Sequence, residues 1–209
     1  MGKRFGCLIV ALATAGTLIA GAGSAQASMI LYNSFGTGST NCRCFSPQAK
    51  GPDVSGTFLG TNNNWIAGSF TPSVTDHLYQ LKLALGSGGG PDLNEGTSGG
   101  YPGAVVLLLP DDGSGHPDTT GSGASEVWVD SKIPVSIDKQ KPTTFTSKLL
   151  PTLTVGTTYW IVVEPISTDS NIIWWSSPTV SQAVENTDDG GVTWTGYTGK
   201  QAAFEVLGQ

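Results

Sequence analysis

From residue 28 onward, apolar and polar positions alternate with a period of two, and no stretch of helical length carries a 3.6-residue period. In His77–Leu85 the side chains of Tyr79, Leu81, Leu83 and Leu85 point one way, while Gln80 and Lys82 point the other. That predicts a strand with one buried face. Ala104–Leu109 is continuously apolar, as a strand covered on both faces would be. Thr158–Glu164 sets Tyr159, Ile161 and Val163 against Trp160 and Val162. Further strands are predicted over Glu126–Asp130, Thr143–Leu149, Asn171–Trp175 and Ala202–Leu207, with shorter ones over Met29–Phe35, Asn64–Phe70 and Val192–Trp194. Turn chemistry falls between them, at Gly86–Gly90, Asp111–Gly115, Thr119–Gly123, Val155–Thr157 and Asp188–Gly191. Short strands at this spacing, without helices between them, predict an all-β fold. The expected architecture is an antiparallel β-sandwich, jelly-roll-like, in a single domain over residues 28–209.

The first 27 residues follow a different pattern. Lys3 and Arg4 open the chain, residues 6–23 are apolar and uncharged, and Ala25-Gln26-Ala27 supplies an A-x-A site. This is the three-part pattern of a secretory signal peptide, expected to be cleaved after Ala27. Its many Gly, Ala, Ser and Thr residues make it a poor membrane anchor, so no membrane span is expected once it is removed. The expected location is extracytoplasmic, secreted or periplasmic.

Composition narrows the function. The 29 glycines and 12 prolines among 209 residues suit a turn-rich globule and exclude a helical bundle. Only 12 % of residues are charged and the net charge is −6, more acidic still without Lys3 and Arg4. Such a surface excludes nucleic acid and anionic lipid as partners and is compatible with divalent cations. Cys42 and Cys44 are the only cysteines beyond the leader. A disulfide across one residue closes a negligible loop and adds little stability, while a soft-metal site there lacks a nearby histidine. The fold must therefore rest on its apolar core.

The ordered segments resemble a known family. Ile66-Ala67-Gly68-Ser69-Phe70-Thr71-Pro72, then Leu81–Leu85, Val105–Asp112, Leu153–Val163, and finally Trp194-Thr195-Gly196 through Ala203–Gly208 are similar to the choice-of-anchor R domain of exported bacterial proteins, often found with a PEP-CTERM or other sorting tail. The resemblance spans most of residues 29–208. It implies a jelly-roll-like β-sandwich outside the cytoplasm and no assigned catalytic or binding residues. The sequence departs from the family in ending at Gln209 without a sorting tail, and in a longer glycine-rich stretch over 86–103.

No catalytic residue is predicted. His77 and His116 are isolated and read as surface polar groups. Gly96-Thr97-Ser98-Gly99-Gly100 matches G-x-S-x-G, but no strand precedes it and no helix follows, so the strained turn that activates such a serine is missing. A small hydrolase using Ser98, or paired carboxylates such as Asp111 and Asp118, is the weakest of three readings. The turn Asp111-Asp112-Gly113-Ser114-Gly115-His116-Pro117-Asp118 gathers hard oxygen ligands, with Asp111, Asp112 and Asp118 as candidate Ca²⁺ ligands. It also reads as a solvated Asp-Gly hairpin loop, without a cofactor. Glu185–Gly191 is a second acidic turn.

Six tryptophans remain. Trp174 and Trp175 are adjacent, so on a strand they face opposite sides and at most one reaches the core. Taking Val127 and Val129 as inward places Trp128 outward. Trp128, Trp174 and Trp175 are thus the candidate ligand-binding aromatics. The leading reading is an exported, non-catalytic module for adhesion, binding or matrix structure. A carbohydrate-binding module, with polysaccharide or cell-surface matrix as its partner, stands beside it.

Overall fold

The structure, a computed structural model, describes residues 28–35, 53–55, 64–87, 103–121, 123–130, 133, 142–166, 171–175, 177, 184–196 and 201–209. The leader 1–27, Cys42, Cys44, Ser98 and most of the 86–103 stretch lie outside them.

The described residues are all-β and contain no helix. Fourteen strands occur among them: β1 Met29–Asn33, β2 Asp53–Ser55, β3 Trp65–Phe70, β4 Asp76–Leu83, β5 Leu85–Ser87, β6 Ala104–Pro110, β7 Glu126–Asp130, β8 Thr143–Thr146, β9 Thr152–Leu153, β10 Tyr159–Pro165, β11 Asn171–Trp174, β12 Val184–Thr187, β13 Thr195–Gly196 and β14 Phe204–Gly208. One sheet runs β1-β14-β4-β8, with β9 added on β4. A second runs β13-β12-β3-β10-β6-β7, and a small third runs β2-β11-β5. Every pairing is antiparallel.

The two large sheets share one apolar core. Leu81, Leu83, Phe145, Phe204 and Val206 from the first meet Ile66, Phe70, Val106, Leu108, Ile161 and Val163 from the second. Burying each of these side chains contributes about 1.5–3 kcal/mol. Close approach is possible because Gly68 presents no side chain inward: a Cβ there would lie 3.2 Å from the Phe204 ring.

Three expectations are corrected. First, β7 faces the other way: Trp128 is buried, while Val127 and Val129 are 53 % and 64 % exposed. As the edge strand of its sheet, β7 gains more by turning the large indole inward than two valines. The inward phase also buries Glu126, which is satisfied by the Ser147 hydroxyl and the Lys148 amide. Second, the alternation in β4 breaks. Leu207 pairs with Gln80 but Gly208 pairs with Leu78, so Tyr79 is an extra residue in the ladder. Leu78 is therefore buried with Leu81 and Leu83, and Tyr79 is not. Third, Val192–Trp194 forms no strand; the neighbouring strands are β12 and β13. Glu185 is accordingly not a turn residue but a buried member of β12.

Candidate functional site

The outer face of the six-stranded sheet carries a cleft. Strand β10 is buried on both sides. Tyr159, Ile161 and Val163 enter the main core, and Trp160 and Val162 join Ala67 and Leu109 in a second apolar cluster. Trp65, Leu107, Ala124 and Trp194 pack against that cluster, half-buried. Cross-strand register explains it: Val162 pairs with Ala67 on one side and Leu107 on the other. The next outward position on β10 is Glu164.

Two loops wall this face and leave a cleft of about 320 Å³ between them. Trp65, Leu107 and Leu109 line its sheet side, together with Glu164; Asp118, Thr119 and Thr120 line one wall, and Gly190, Gly191 and Val192 the other. The first loop is fastened to the sheet by the Trp160 indole N–H, which donates to Asp111 Oδ2 at 2.9 Å. His116 Nδ1 lies 2.7 Å from Oε2 of the buried Glu185. The two walls are joined where the Thr119 hydroxyl donates to the Gly191 carbonyl. The second loop is drawn around Asp189, whose carboxylate accepts from the Val192 and Thr193 amides and from the Thr187 and Thr193 hydroxyls. Those bonds, the Thr187 hydroxyl foremost, hold Asp189 well below the usual carboxylate range.

The charges divide by environment. Burial pushes the Glu164 carboxyl up to about 7, and among the described residues no hydrogen-bond donor or cation approaches it. Glu185 raises the His116 pKa, first through the hydrogen bond and then through its charge. The Ser114 amide and hydroxyl lower Asp112.

The predicted site residues separate. Trp128 lies in the main core, its ring centroid 6.2 Å from that of Phe145 and its N–H donating to the Thr146 carbonyl. Trp174 is fully buried there too, with its N–H on the Ala203 carbonyl. Trp175 faces the opposite side, as adjacency demands, but packs with Phe35, Ala84 and Ala203. The expectation that these indoles offer exposed faces is corrected: all three are buried, because each has a chain segment to cover it.

Asp111, Asp112 and Asp118 do share one loop, yet each carboxylate caps its own turn. Asp111 accepts from the Gly113 amide, Asp112 from the Ser114 and His116 amides, and Asp118 from the Thr120 and Gly121 amides. No group of three His, Cys, Asp or Glu side chains is arranged for a metal among the described residues. Asp118 is among the residues that line the cleft, and Asp111 accepts from the Trp160 indole N–H.

Trp65 and Glu164 were not among the residues singled out by sequence. Glu164 was legible in principle, as the outward phase of the Trp160-Val162 series. The joining of that phase to Trp65 depends on long-range pairing. No family model, no curated protein and no solved structure matches the chain.

The cleft thus has an aromatic and aliphatic floor and walls that carry hydroxyl and carboxyl groups.

Proposed function

We propose that this chain is an exported, non-catalytic β-sandwich module of jelly-roll type that binds polysaccharide or cell-surface matrix through the outer-face cleft. The observation that carries it is that cleft: an apolar sheet surface containing Trp65, flanked by Asp118, Thr119, Thr120 and Glu164. The extracytoplasmic location draws support from the basic start, the apolar run and Ala25-Gln26-Ala27. The resemblance to the choice-of-anchor R domain is part of the same reading.

The test is retention of the purified protein on a panel of immobilised polysaccharides, with and without EDTA. At least one polysaccharide is expected to retain the protein, and Trp65→Ala is expected to release it. A panel that retains nothing overturns the binding reading. Retention that disappears in EDTA would bring Ca²⁺ at Asp111, Asp112 and Asp118 into the proposal; retention unchanged by EDTA leaves the turn self-capped.

One observation favours a second reading, a small secreted hydrolase. Glu164, its carboxyl pushed up to about 7 by burial, lines the same cleft as Asp118, and a pair of carboxyls flanking one bond can act as acid and base. Turnover of chromogenic glycosides that Glu164→Gln abolishes would favour it over the binding module.

A further inference from the structure

The cleft holds carboxyl groups, and among the described lining residues there is no lysine or arginine to balance them. Glu164 lines it half-buried, and among the described residues nothing donates a hydrogen bond to its carboxyl. Asp118 lines it too, with Oδ1 already taken by the Thr120 and Gly121 amides. Lys82 belongs to the other large sheet and is engaged by Glu205 at 2.8 Å, and His116, on the wall loop, is engaged by Glu185 at 2.7 Å. A partly desolvated carboxyl without a partner is costly unless it is protonated or a cation arrives. The floor gives such a cation a second attraction, because an ammonium over an indole is held by the ring quadrupole. The acidic balance of the whole chain, −6, also favours the approach of cations over anions.

We propose that the cleft takes a saccharide bearing a free amino group, with its ammonium paired to Glu164 and its ring against Trp65. This rests on the polysaccharide reading of the same cleft and narrows it to amine-bearing chains. The space, about 320 Å³, is at the small end of ligand pockets and suits a short stretch of such a chain. The same contacts reject acidic saccharides: a uronate carboxylate would meet Asp118 and Glu164, and no lysine or arginine is among the described lining residues. An N-acetylated sugar keeps the ring contact with Trp65 but brings no charge to Glu164. An arriving ammonium also draws the Glu164 carboxyl back toward its ionised form, because an opposite charge favours the carboxylate.

Calorimetric titration of the full chain tests this with two probes: an oligomer of β-1,4-linked glucosamine and its fully N-acetylated counterpart. The deacetylated oligomer is expected to bind about tenfold tighter, the scale of one cation–π and ion-pair contact in a partly desolvated site. Glu164→Gln is expected to bring the two affinities together without loss of the fold, since the amide matches the shape of the carboxyl. Raising the ionic strength should weaken only the deacetylated oligomer. Equal affinity for the two probes overturns the amine inference while leaving the saccharide reading intact. Binding of neither overturns the amine inference, while the saccharide reading stands or falls with the polysaccharide panel. Binding of a short oligolysine as tightly as the amino sugar also overturns it, because the cleft would then read the amine and not the saccharide.

Discussion

The Thr119 hydroxyl donates to the Gly191 carbonyl at 2.7 Å and joins the two loops that wall the outer-face cleft. Gly191 needs its own identity at this junction. Its φ is +87°, and a Cβ would come within 2.7 Å of the Trp65 ring. Thr119→Val keeps the shape of the side chain and removes the donor. The expected loss is about 1 kcal/mol, or roughly 2–4 °C in thermal midpoint for a chain of this size. Gly191→Ala should cost more, because it meets both the left-handed backbone and the indole. Thermal unfolding of the two variants checks the order; a harmless Gly191→Ala would mean that Trp65 is free to move.

Strand β7 offers a test of its orientation. Glu126 is only 3 % exposed and accepts from the Ser147 hydroxyl and the Lys148 amide, while Val127 and Val129 face outward. Glu126→Ala leaves those donors without their acceptor and opens a cavity, so a loss of about 2–3 kcal/mol is expected. Val127→Thr and Val129→Thr should each stay within about 0.5 kcal/mol of the parent. Chemical denaturation reads all three, and the reverse order would restore the inward valines.

The contrast explains what the sequence discloses. The strands with one unbroken phase, β6 and β10, are legible from periodicity alone, because apolar residues at every position require cover on both faces. In β7 the two phases are Glu-Trp-Asp and Val-Val, and local pattern favours the valines. The structure favours the phase in which a distant turn at Ser147 and Lys148 satisfies the carboxylate. The Tyr79 bulge is hidden for the same reason, since it exists only relative to the partner strand β14. The cleft is a longer-range product still, assembled from β3, β6, β10 and two loops. Hence Trp65 could not be singled out, whereas Trp174 and Trp175 drew notice through adjacency and proved to be covered on both sides.

Glu164 makes stability depend on pH. Its folded pKa, about 7, lies above the 4.5 of an unperturbed glutamate, so the folded chain binds the proton more tightly than the unfolded chain. Stability is therefore highest below about pH 4.5 as far as this group is concerned, and falls as pH rises from there through 7. Above that window the ionised carboxylate sits partly desolvated. Because it is also partly solvated, the cost is on the order of 1 kcal/mol and not the full equivalent of the shift. Glu164→Gln should accordingly raise the thermal midpoint at pH 8 and change it little at pH 5. An equal effect at both values would show that the carboxyl titrates normally.

His116 and Glu185 give a dependence confined to a higher window. The imidazole Nδ1 sits 2.7 Å from a carboxylate that β12 holds buried, and this partner raises the His116 pKa above 6.5. Asp111 and Asp112, on the same loop, add to the rise. The folded state thus holds the imidazolium more tightly than the unfolded state does. The stabilisation is complete below pH 6.5 and is lost as pH climbs through the raised value. A pH-induced release would be felt at the cleft, since this loop continues directly into Asp118 and Thr119. His116→Gln preserves a donor toward Glu185 but carries no charge. Its unfolding midpoint should lie below the parent's at pH 6, and the gap should close by pH 9. The chemical shift of the imidazole, followed by NMR through the same range, reports the titration directly. A midpoint at or below that of a free histidine would break the link between this pair and the loop.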